Sequence, residues 1–303
     1  MKKLFTIFLF ILFLNNSSIL AQSSLQINSL PPFEAEQYIA PLATYFGTFF
    51  NTGTYFSADV PFTFGFKFSV VGTWSIVPDN QKIFQPNPQV NIVDGTSVEP
   101  SATVFGNKGS YFLSDKGYVV YPTGFALKAV PMGIVQIAGS AFNTELMLRF
   151  FPNTNFEDAK VGLFGIGIKH EISTYFQWPL DVSVQFLYNT INGEYQGEDI
   201  EDYGKITSNN YAFNIHASKK FMDMLIAYGG IQFESSKMDV EYYFKDPNEL
   251  YPNYIGINSF TLDGENKFRF TLGGAIELGA FVFNADMNFS KFTTYSIGLN
   301  LDF

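Results

Sequence analysis

Two stretches at the end of the chain decide the fold: Phe281-Val-Phe-Asn-Ala-Asp-Met-Asn-Phe289 and Tyr295-Ser-Ile-Gly-Leu-Asn-Leu-Asp-Phe303. In each, an apolar residue recurs at every second position, and mostly polar or small residues fill the positions between. A period of two is typical of a β-strand, whose side chains alternate between two faces. The same alternation occurs over 268–278 and 62–70, so we predict an all-β protein.

Soluble sandwiches also alternate, but three features favour a transmembrane β-barrel. The segments have the ~9–11 residues that a tilted strand needs to cross a bilayer. Their polar face carries Gly, Asn, Asp, Arg and Glu, which suits a lumen, while the Phe, Leu and Ile face suits lipid. The chain also ends in a pattern that resembles the C-terminal targeting strand read by the barrel insertion machinery, with apolar residues at Tyr295, Ile297, Leu299, Leu301 and Phe303.

The alternation predicts an antiparallel barrel of about 10 strands. The predicted strands are 60–74, 125–138, 142–151, 160–171, 180–190, 208–219, 223–234, 266–278, 281–289 and 294–303. With the C-terminus in the periplasm, the periplasmic turns are short and three external loops are long, as outer-membrane barrels require. The segment 75–124 could hide two more strands near 101–121, which would make twelve, and a barrel of 12–14 strands stays possible. Its role as cap, constriction or external hairpin also stays open.

The N-terminal residues follow the pattern of a secretory signal peptide. A basic pair at 2–3 precedes an apolar run over 4–14. This run is shorter than the ~20 apolar residues of a spanning helix. We predict a signal peptide over 1–21, cleaved after Ala21, and a bacterial outer-membrane location.

The segment 22–58 differs from the strands that follow it. Tyr38, Leu42 and Phe49 follow helical spacing, and prolines punctuate the segment. Two interpretations remain open: a short, partly helical plug inside the lumen, or a tail packed on the barrel rim. The barrel itself is assigned to 59–303.

Composition excludes several function classes. The chain has no cysteine, 2 histidines and a net charge of -10. These numbers argue against thiolate metal sites and a cysteine nucleophile. A nucleic-acid partner would require a basic surface, so none is expected. No cofactor or metal site is predicted.

Several charged residues fall in the phase of the lumen. An Arg or Lys that faces lipid at mid-depth costs about 2–4 kcal/mol, so these side chains should face inward. They form either a permeation path or polar ligand site, or a salt-bridge network that fills a narrow barrel. Glu145 and Arg149 share a strand about 13 Å apart, so each should pair across strands. The lumen candidates are Lys67, Glu145, Arg149, Lys169, Glu171, Asp181, His216, Glu234, Arg269, Glu277 and Asp286.

His216 raises the question of catalysis. His216 and Ser218 share a face, with Asn214 beside them, as a base, a nucleophile and an orienting group would. The pattern is weak and lacks the flanking residues of a barrel phospholipase. We therefore expect no enzyme activity.

Two loops carry distinctive residues. The loop 193–205 holds five acids, which could bind calcium but more simply keep the surface solvated. Tyrosines over 242–254 could recognise a glycan or protein, although an aromatic girdle at the headgroup level is the preferred interpretation.

Several stretches match a known pattern: Glu36-Gln-Tyr-Ile-Ala-Pro-Leu42, Asn51-Thr-Gly-Thr-Tyr55, Gly65-Phe-Lys-Phe68, Thr144-Glu-Leu-Met-Leu-Arg-Phe-Phe-Pro152 and Gly165-Ile-Gly-Ile-Lys-His-Glu171. They resemble a family of Bacteroidota outer-membrane β-barrels of unknown function (DUF6588-like), which is distantly similar to FadL-like long-chain fatty-acid transporter barrels. The resemblance covers about 33–190 and implies the fold and the compartment. It transfers no ligand or catalytic residue.

The sequence therefore predicts a channel or transporter for small or hydrophobic compounds. The alternative is a non-transporting structural or docking barrel of the cell envelope, a partner of a surface or secretion complex. The expected partners are outer-membrane lipid, lipopolysaccharide, the barrel insertion machinery and a hydrophobic small molecule.

Overall fold

The alternating segments form strands over most of the chain. The computed structural model describes residues 26–156, 159–176, 178–197, 199 and 201–303, so the predicted signal peptide lies outside the described residues. Helix α1 spans Pro32–Phe50. The strands are β1 (Gly65–Ile76), β2 (Ile83–Phe84), β3 (Ser101–Ala102), β4 (Tyr111–Ser114), β5 (Gly117–Val120), β6 (Ala129–Ala141), β7 (Thr144–Phe156), β8 (Ala159–Glu171), β9 (Asp181–Gln196), β10 (Tyr203–Phe221), β11 (Leu225–Phe244), β12 (Gly256–Asp263), β13 (Phe268–Leu278), β14 (Phe281–Phe289) and β15 (Thr294–Asp302).

Eleven of these strands form one antiparallel sheet that closes on itself. Strand β1 pairs with both β6 and β15, so no edge is left at the join. The backbone amides of Phe66 and Phe303 each donate to the other residue's carbonyl, at 2.8 and 2.9 Å. Strands β12 and β13 pair with different ends of β11 and share one position in the ring. The ring therefore has ten positions, and the predicted all-β barrel of ten strands is confirmed.

The two ends of the barrel differ. One end, here called the short-turn end, has connections as brief as 142–143 and 279–280. The other, the long-loop end, carries the segments 77–128 and 245–255. This asymmetry matches the predicted arrangement of short turns and long loops.

The outer wall is an apolar belt. Phe233, Leu272 and Ile297 point outward and are 52%, 51% and 50% exposed. A continuous apolar surface of this kind is unfavourable in water but favourable in lipid. The belt is therefore what a lipid-facing barrel requires.

The polarity of the wall inverts within strand β11. Just before Ser235 the outward residues Ile231 and Phe233 are apolar, and the inward residues Gln232 and Glu234 are polar. Above Ser235 the outward residues Lys237 and Asp239 are polar. The inward residues there are the buried apolar side chains Met238, Val240, Tyr242 and Phe244. The apolar belt therefore ends near Ser235, and the strand continues beyond it into a water-facing part.

This inversion corrects two predicted loops. Strands β9 to β12 occupy much of 191–207 and 235–265, which the sequence interpretation assigned to loops. The alternation continues there, but its apolar side changes from the outside to the inside. The prediction of apolar outward faces therefore ended β9 to β11 too early and missed β12.

The segment 77–128 folds over the long-loop end. It contains the pairs β2–β3 and β4–β5, neither of which joins the barrel sheet, so twelve barrel strands are excluded. The Val104 amide donates to Tyr38 O at 2.9 Å, and the Tyr38 hydroxyl donates to Thr123 O at 2.9 Å. We call this segment, with the extended ends of β9–β12, the head. It encloses the N-terminal half of α1.

Helix α1 continues from the head into the ring of strands. Its C-terminal end receives hydrogen bonds from β7 and β13, on well-separated parts of the wall. Gly47 permits a close approach to β11, since a Cβ there would lie 2.7 Å from the Ser236 Cβ. We call residues 32–60 the plug. Within the described residues, no helix is long and apolar enough to cross a membrane.

The position of the belt can be tested with two outward residues. Leu272→Arg should lower the free energy of unfolding by about 2–4 kcal/mol, because its charge would face lipid. Ile257→Arg, on the part of the wall beyond the belt, should change it by no more than ~0.5 kcal/mol. Urea unfolding in lipid vesicles measures both. Equal losses would show that the belt does not end where the polarity inverts.

Candidate functional site

The C-terminal end of helix α1 is held by two buried arginines from the barrel wall. Arg149 of β7 donates through Nη2 to Thr52 O at 2.9 Å and through Nη1 to Phe50 O at 2.5 Å. Arg269 of β13 donates to Thr48 O at 2.5 Å and to the Thr52 hydroxyl. The last carbonyls of a helix lack partners within the helix, and its C-terminus carries partial negative charge. The two guanidinium groups satisfy both requirements and fix the plug to the wall.

Arg149 corrects one prediction. Its side chain is fully buried but forms no ion pair with a carboxylate among the described residues. The expected cross-strand partner is replaced by the carbonyls of the plug. Arg269, in contrast, pairs with Glu234 at 2.7 Å.

Glu145 lies at the centre of a buried charge cluster. Its carboxylate is 2.9 Å from Lys67 Nζ and 3.1 Å from Lys169 Nζ, as cross-strand pairing predicted. Lys169 faces Glu145 directly on β8, and Lys67 reaches across β6 from β1. Asp302 adds a second carboxylate 3.6 Å from Lys67. Lys169 also donates to Ser57 O at 3.4 Å, which ties the cluster to the plug.

The remaining lumen candidates have separate partners. Glu171 accepts hydrogen bonds from the Val60 amide at 2.8 Å and the Ser173 hydroxyl at 2.7 Å. Asp286 accepts one from the Tyr228 hydroxyl at 2.9 Å. Glu277 pairs with Lys220 at 2.9 Å on the half-exposed rim, and Asp181 lines a cavity at the same end. The charges are thus distributed along the plug and do not converge on one point.

His216 packs on the plug. Its ring stacks on Tyr55 with centroids 3.9 Å apart, and Nδ1 lies 2.7 Å from Asn214 Oδ1. Asn214 Oδ1 can only accept, so Nδ1 carries the proton. The Ser218 hydroxyl instead accepts a hydrogen bond from the Ala58 amide at 2.9 Å. Within the described residues, His216 and Ser218 form no hydrogen bond, so the geometry offers no base–nucleophile pair.

The residues of the predicted targeting strand face outward. Tyr295, Ile297 and Leu299 are exposed on the belt, and Phe303 is the most exposed of the set. Leu301 shares their phase and is partly buried. The structure thus gives this strand the orientation that the alternation predicted.

Sequence reasoning missed a buried carboxylate in the head. Glu34, near the start of α1, has no exposed surface and accepts hydrogen bonds from the Tyr121 hydroxyl at 3.1 Å and the Asn87 amide at 3.0 Å. Burial raises the pKa of Glu34, while these two donors lower it. A lone acid on an otherwise apolar helix face was the signal that could have identified it.

Several tyrosines of 242–254 and acids of 193–205 have partners within the protein. Tyr242 and Tyr251 are buried and do not form a girdle: the Tyr242 hydroxyl donates to Leu30 O at 2.8 Å, and the Tyr251 ring packs against Phe33 of α1. In the acidic loop, Asp202 pairs with Lys245 at 2.7 Å. Among the described residues, no group of three or more acidic, His or Cys side chains could hold a metal ion.

Cavities lie on both sides of the plug. At the short-turn end, Asp59, Lys67 and Asp181 line a cavity of about 540 Å³. At the long-loop end, Glu34, Tyr121 and Tyr251 line one of about 130 Å³. Beside 53–57, the lumen keeps a cavity of about 20 Å³, which holds about one water.

The charge cluster makes a prediction about stability. Glu145→Gln should lower the free energy of unfolding by about 3–5 kcal/mol, because it leaves two buried lysines without their shared partner. Lys220→Gln, which breaks the half-exposed pair with Glu277, should lower it by no more than ~1 kcal/mol. Urea unfolding in vesicles compares them. Similar small losses would contradict a structural role for the cluster.

Solved structures provide a comparison of architecture. The translocator domain of the autotransporter NalP from Neisseria meningitidis aligns with 89% of this chain and 99% of its own, at 10% identity and a TM-score of 0.40. The attachment invasion locus protein Ail of Yersinia pestis aligns with 80% of this chain and 99% of its own, at 10% identity and 0.25. The Ralstonia pickettii toluene transporter TbuX aligns with 92% and 98%, at 8% identity and 0.24. The fold assignment rests on the strand pairing described above.

Sequence comparison identifies the family but no characterised relative. No curated protein matches the chain. The profile of a family of unknown function, DUF6588, matches residues 1–303, and the chain therefore belongs to this family.

Proposed function

We propose that this protein is an outer-membrane β-barrel that is closed by its own N-terminal segment. In this proposal it holds the head at the cell surface and serves as a structural or docking barrel of the envelope. The observation that carries the proposal is the pair of buried arginines that fix the plug inside the lumen.

The interior supports a closed barrel. Many inward side chains of the wall form hydrogen bonds with the plug or with one another. Asn51 illustrates this at mid-lumen: its side chain donates to Tyr211 O at 3.3 Å and accepts from Asn189 at 3.2 Å. Buried polar groups are costly without partners, so removing the plug would expose many of them at once.

The head supports a docking role. The hairpin β4–β5 presents Tyr111, Tyr118 and Val120, which are 64%, 63% and 66% exposed. Aromatic residues are enriched where proteins meet partners. The proposed partner is another protein of the surface or of a secretion complex, which would contact this hairpin.

The proposed location follows from the belt and the N-terminus together. We infer a signal peptide that is cleaved after Ala21, insertion by the barrel insertion machinery, and contact with outer-membrane lipid and lipopolysaccharide. The long-loop end would then face outward, and the short-turn end with the C-terminus would face the periplasm.

A gated channel or transporter for small or hydrophobic compounds is the second candidate. The cavities at the two ends of the plug favour it, since a solute could occupy either one if the plug moved aside. The two candidates differ in whether the plug leaves the lumen during function.

Conductance in a planar bilayer tests the closed barrel. The refolded mature protein should show no steady conductance, because the plug fills the lumen. The double variant Arg149→Leu/Arg269→Leu should show openings, since the helix end loses its partners in the wall.

Lys220→Leu at the rim is the matched control and should stay closed. Heat-dependent migration in electrophoresis verifies that each variant is folded. Steady conductance of the unmodified protein would overturn the closed-barrel proposal and favour the channel.

A further inference from the structure

The cavity at the long-loop end has the features of a binding site. It has a volume of about 130 Å³ and lies between the start of α1, the β5 strand and the 245–251 loop. Its inner lining includes the buried side chains of Tyr121, Phe244 and Tyr251. Its rim includes Tyr118 and Val120, both exposed. The cavity therefore leads from buried residues at its inner end to exposed residues at its rim.

The inner end carries a carboxylate without a cationic partner. Glu34 has no ion pair with a Lys or Arg among the described residues, although its side chain is fully buried. One oxygen, Oε1, accepts both the Tyr121 hydroxyl and the Asn87 amide. The other, Oε2, has a single contact at 3.5 Å from Gln37. A buried carboxylate is normally paired, so this one has the capacity to hold a positive charge.

A second polar group in the cavity also lacks a partner. The Tyr251 hydroxyl is buried and forms no hydrogen bond within the described part of the chain. Burial, followed by the nearby Glu34 carboxylate, raises the pKa of Tyr251 to about 12. The hydroxyl therefore stays protonated and can donate to or accept from a ligand.

The walls and the rim suit a cation. Tyr121, Phe244 and Tyr251 present aromatic rings, and aromatic cages bind ammonium groups through their negative faces. Lys245 on the rim is already engaged by Asp202 at 2.7 Å, so its charge is largely balanced. The cavity, at about 130 Å³, has room for a small organic molecule.

We propose that this cavity binds a small organic cation, an ammonium compound whose charge contacts Glu34 and whose methyl or methylene groups pack on the aromatic walls. This inference rests on the head described for the proposed function but not on whether the barrel conducts. Failure of the conductance test would leave the cation site unaffected.

Calorimetric titration of the full folded protein in maltoside detergent tests the proposal. The probe is choline chloride, and the control ligand is 3,3-dimethylbutan-1-ol, which has the same shape without the charge. Choline should bind saturably in the millimolar range or tighter. The neutral alcohol should bind at least about tenfold more weakly, a factor that corresponds to ~1.4 kcal/mol.

Two variants on the same helix separate binding from folding. Glu34→Gln should weaken choline binding at least about tenfold while keeping the Tyr121 and Asn87 hydrogen bonds, because the amide oxygen can accept both. Glu36→Gln, at an exposed position, should leave binding unchanged. Heat-dependent migration verifies the fold of each.

Three results would overturn the proposal. They are equal binding of choline and the neutral alcohol, unchanged choline affinity in a folded Glu34→Gln variant, and no saturable binding of choline up to ~10 mM. The first would instead indicate a site for neutral hydrophobic compounds. Tyr251→Phe gives an additional readout: it removes only the hydroxyl and should weaken choline binding by a smaller factor than Glu34→Gln.

Discussion

The structure depends on the contact between the end of helix α1 and two arginines of the barrel wall. A barrel that faces lipid has a polar interior, and each inward group needs a partner there. The helix end has the complementary need, because its last carbonyls lack donors. Arg149 and Arg269 meet both requirements at mid-lumen. Other inward groups of the wall, including Asn189 and Lys169, then find partners along the same plug.

The inversion of polarity in β11 links the membrane part to the head. Just before Ser235 the outward residues suit lipid, and the inward residues Gln232 and Glu234 are polar. Above it the outside is water, and the inside packs apolar residues such as Met238 and Val240 on the helix. One strand thus serves two environments without a break in its hydrogen bonding. Polar side chains of the wall bind the C-terminal end of α1, and an apolar core surrounds its N-terminal half.

The head is therefore a small core built on top of a membrane barrel. Its apolar interior shields Glu34, which gives that carboxylate an environment unlike that of the lumen charges. In the lumen, acids such as Glu145 and Glu234 have cationic partners. Glu171 and Asp286 are buried there with hydrogen-bond donors and no ion pair among the described residues, whereas Glu34 in addition lines a cavity of about 130 Å³.

The sequence by itself determined the barrel, its ten strands, the inward phase of Lys67, Glu145 and Arg269, and the outward phase of the last strand. It could do so because alternate residues of a strand lie on opposite faces, so the local pattern assigns each residue to the inner or the outer face. It did not determine where β9 to β11 end, or that β12 forms, because the inversion depends on where the lipid stops. The partners of Arg149 and the cavity around Glu34 were decided only by the tertiary structure. Both join residues far apart in the chain, and no local pattern records which distant carbonyl, hydroxyl or ring will lie beside a buried charge.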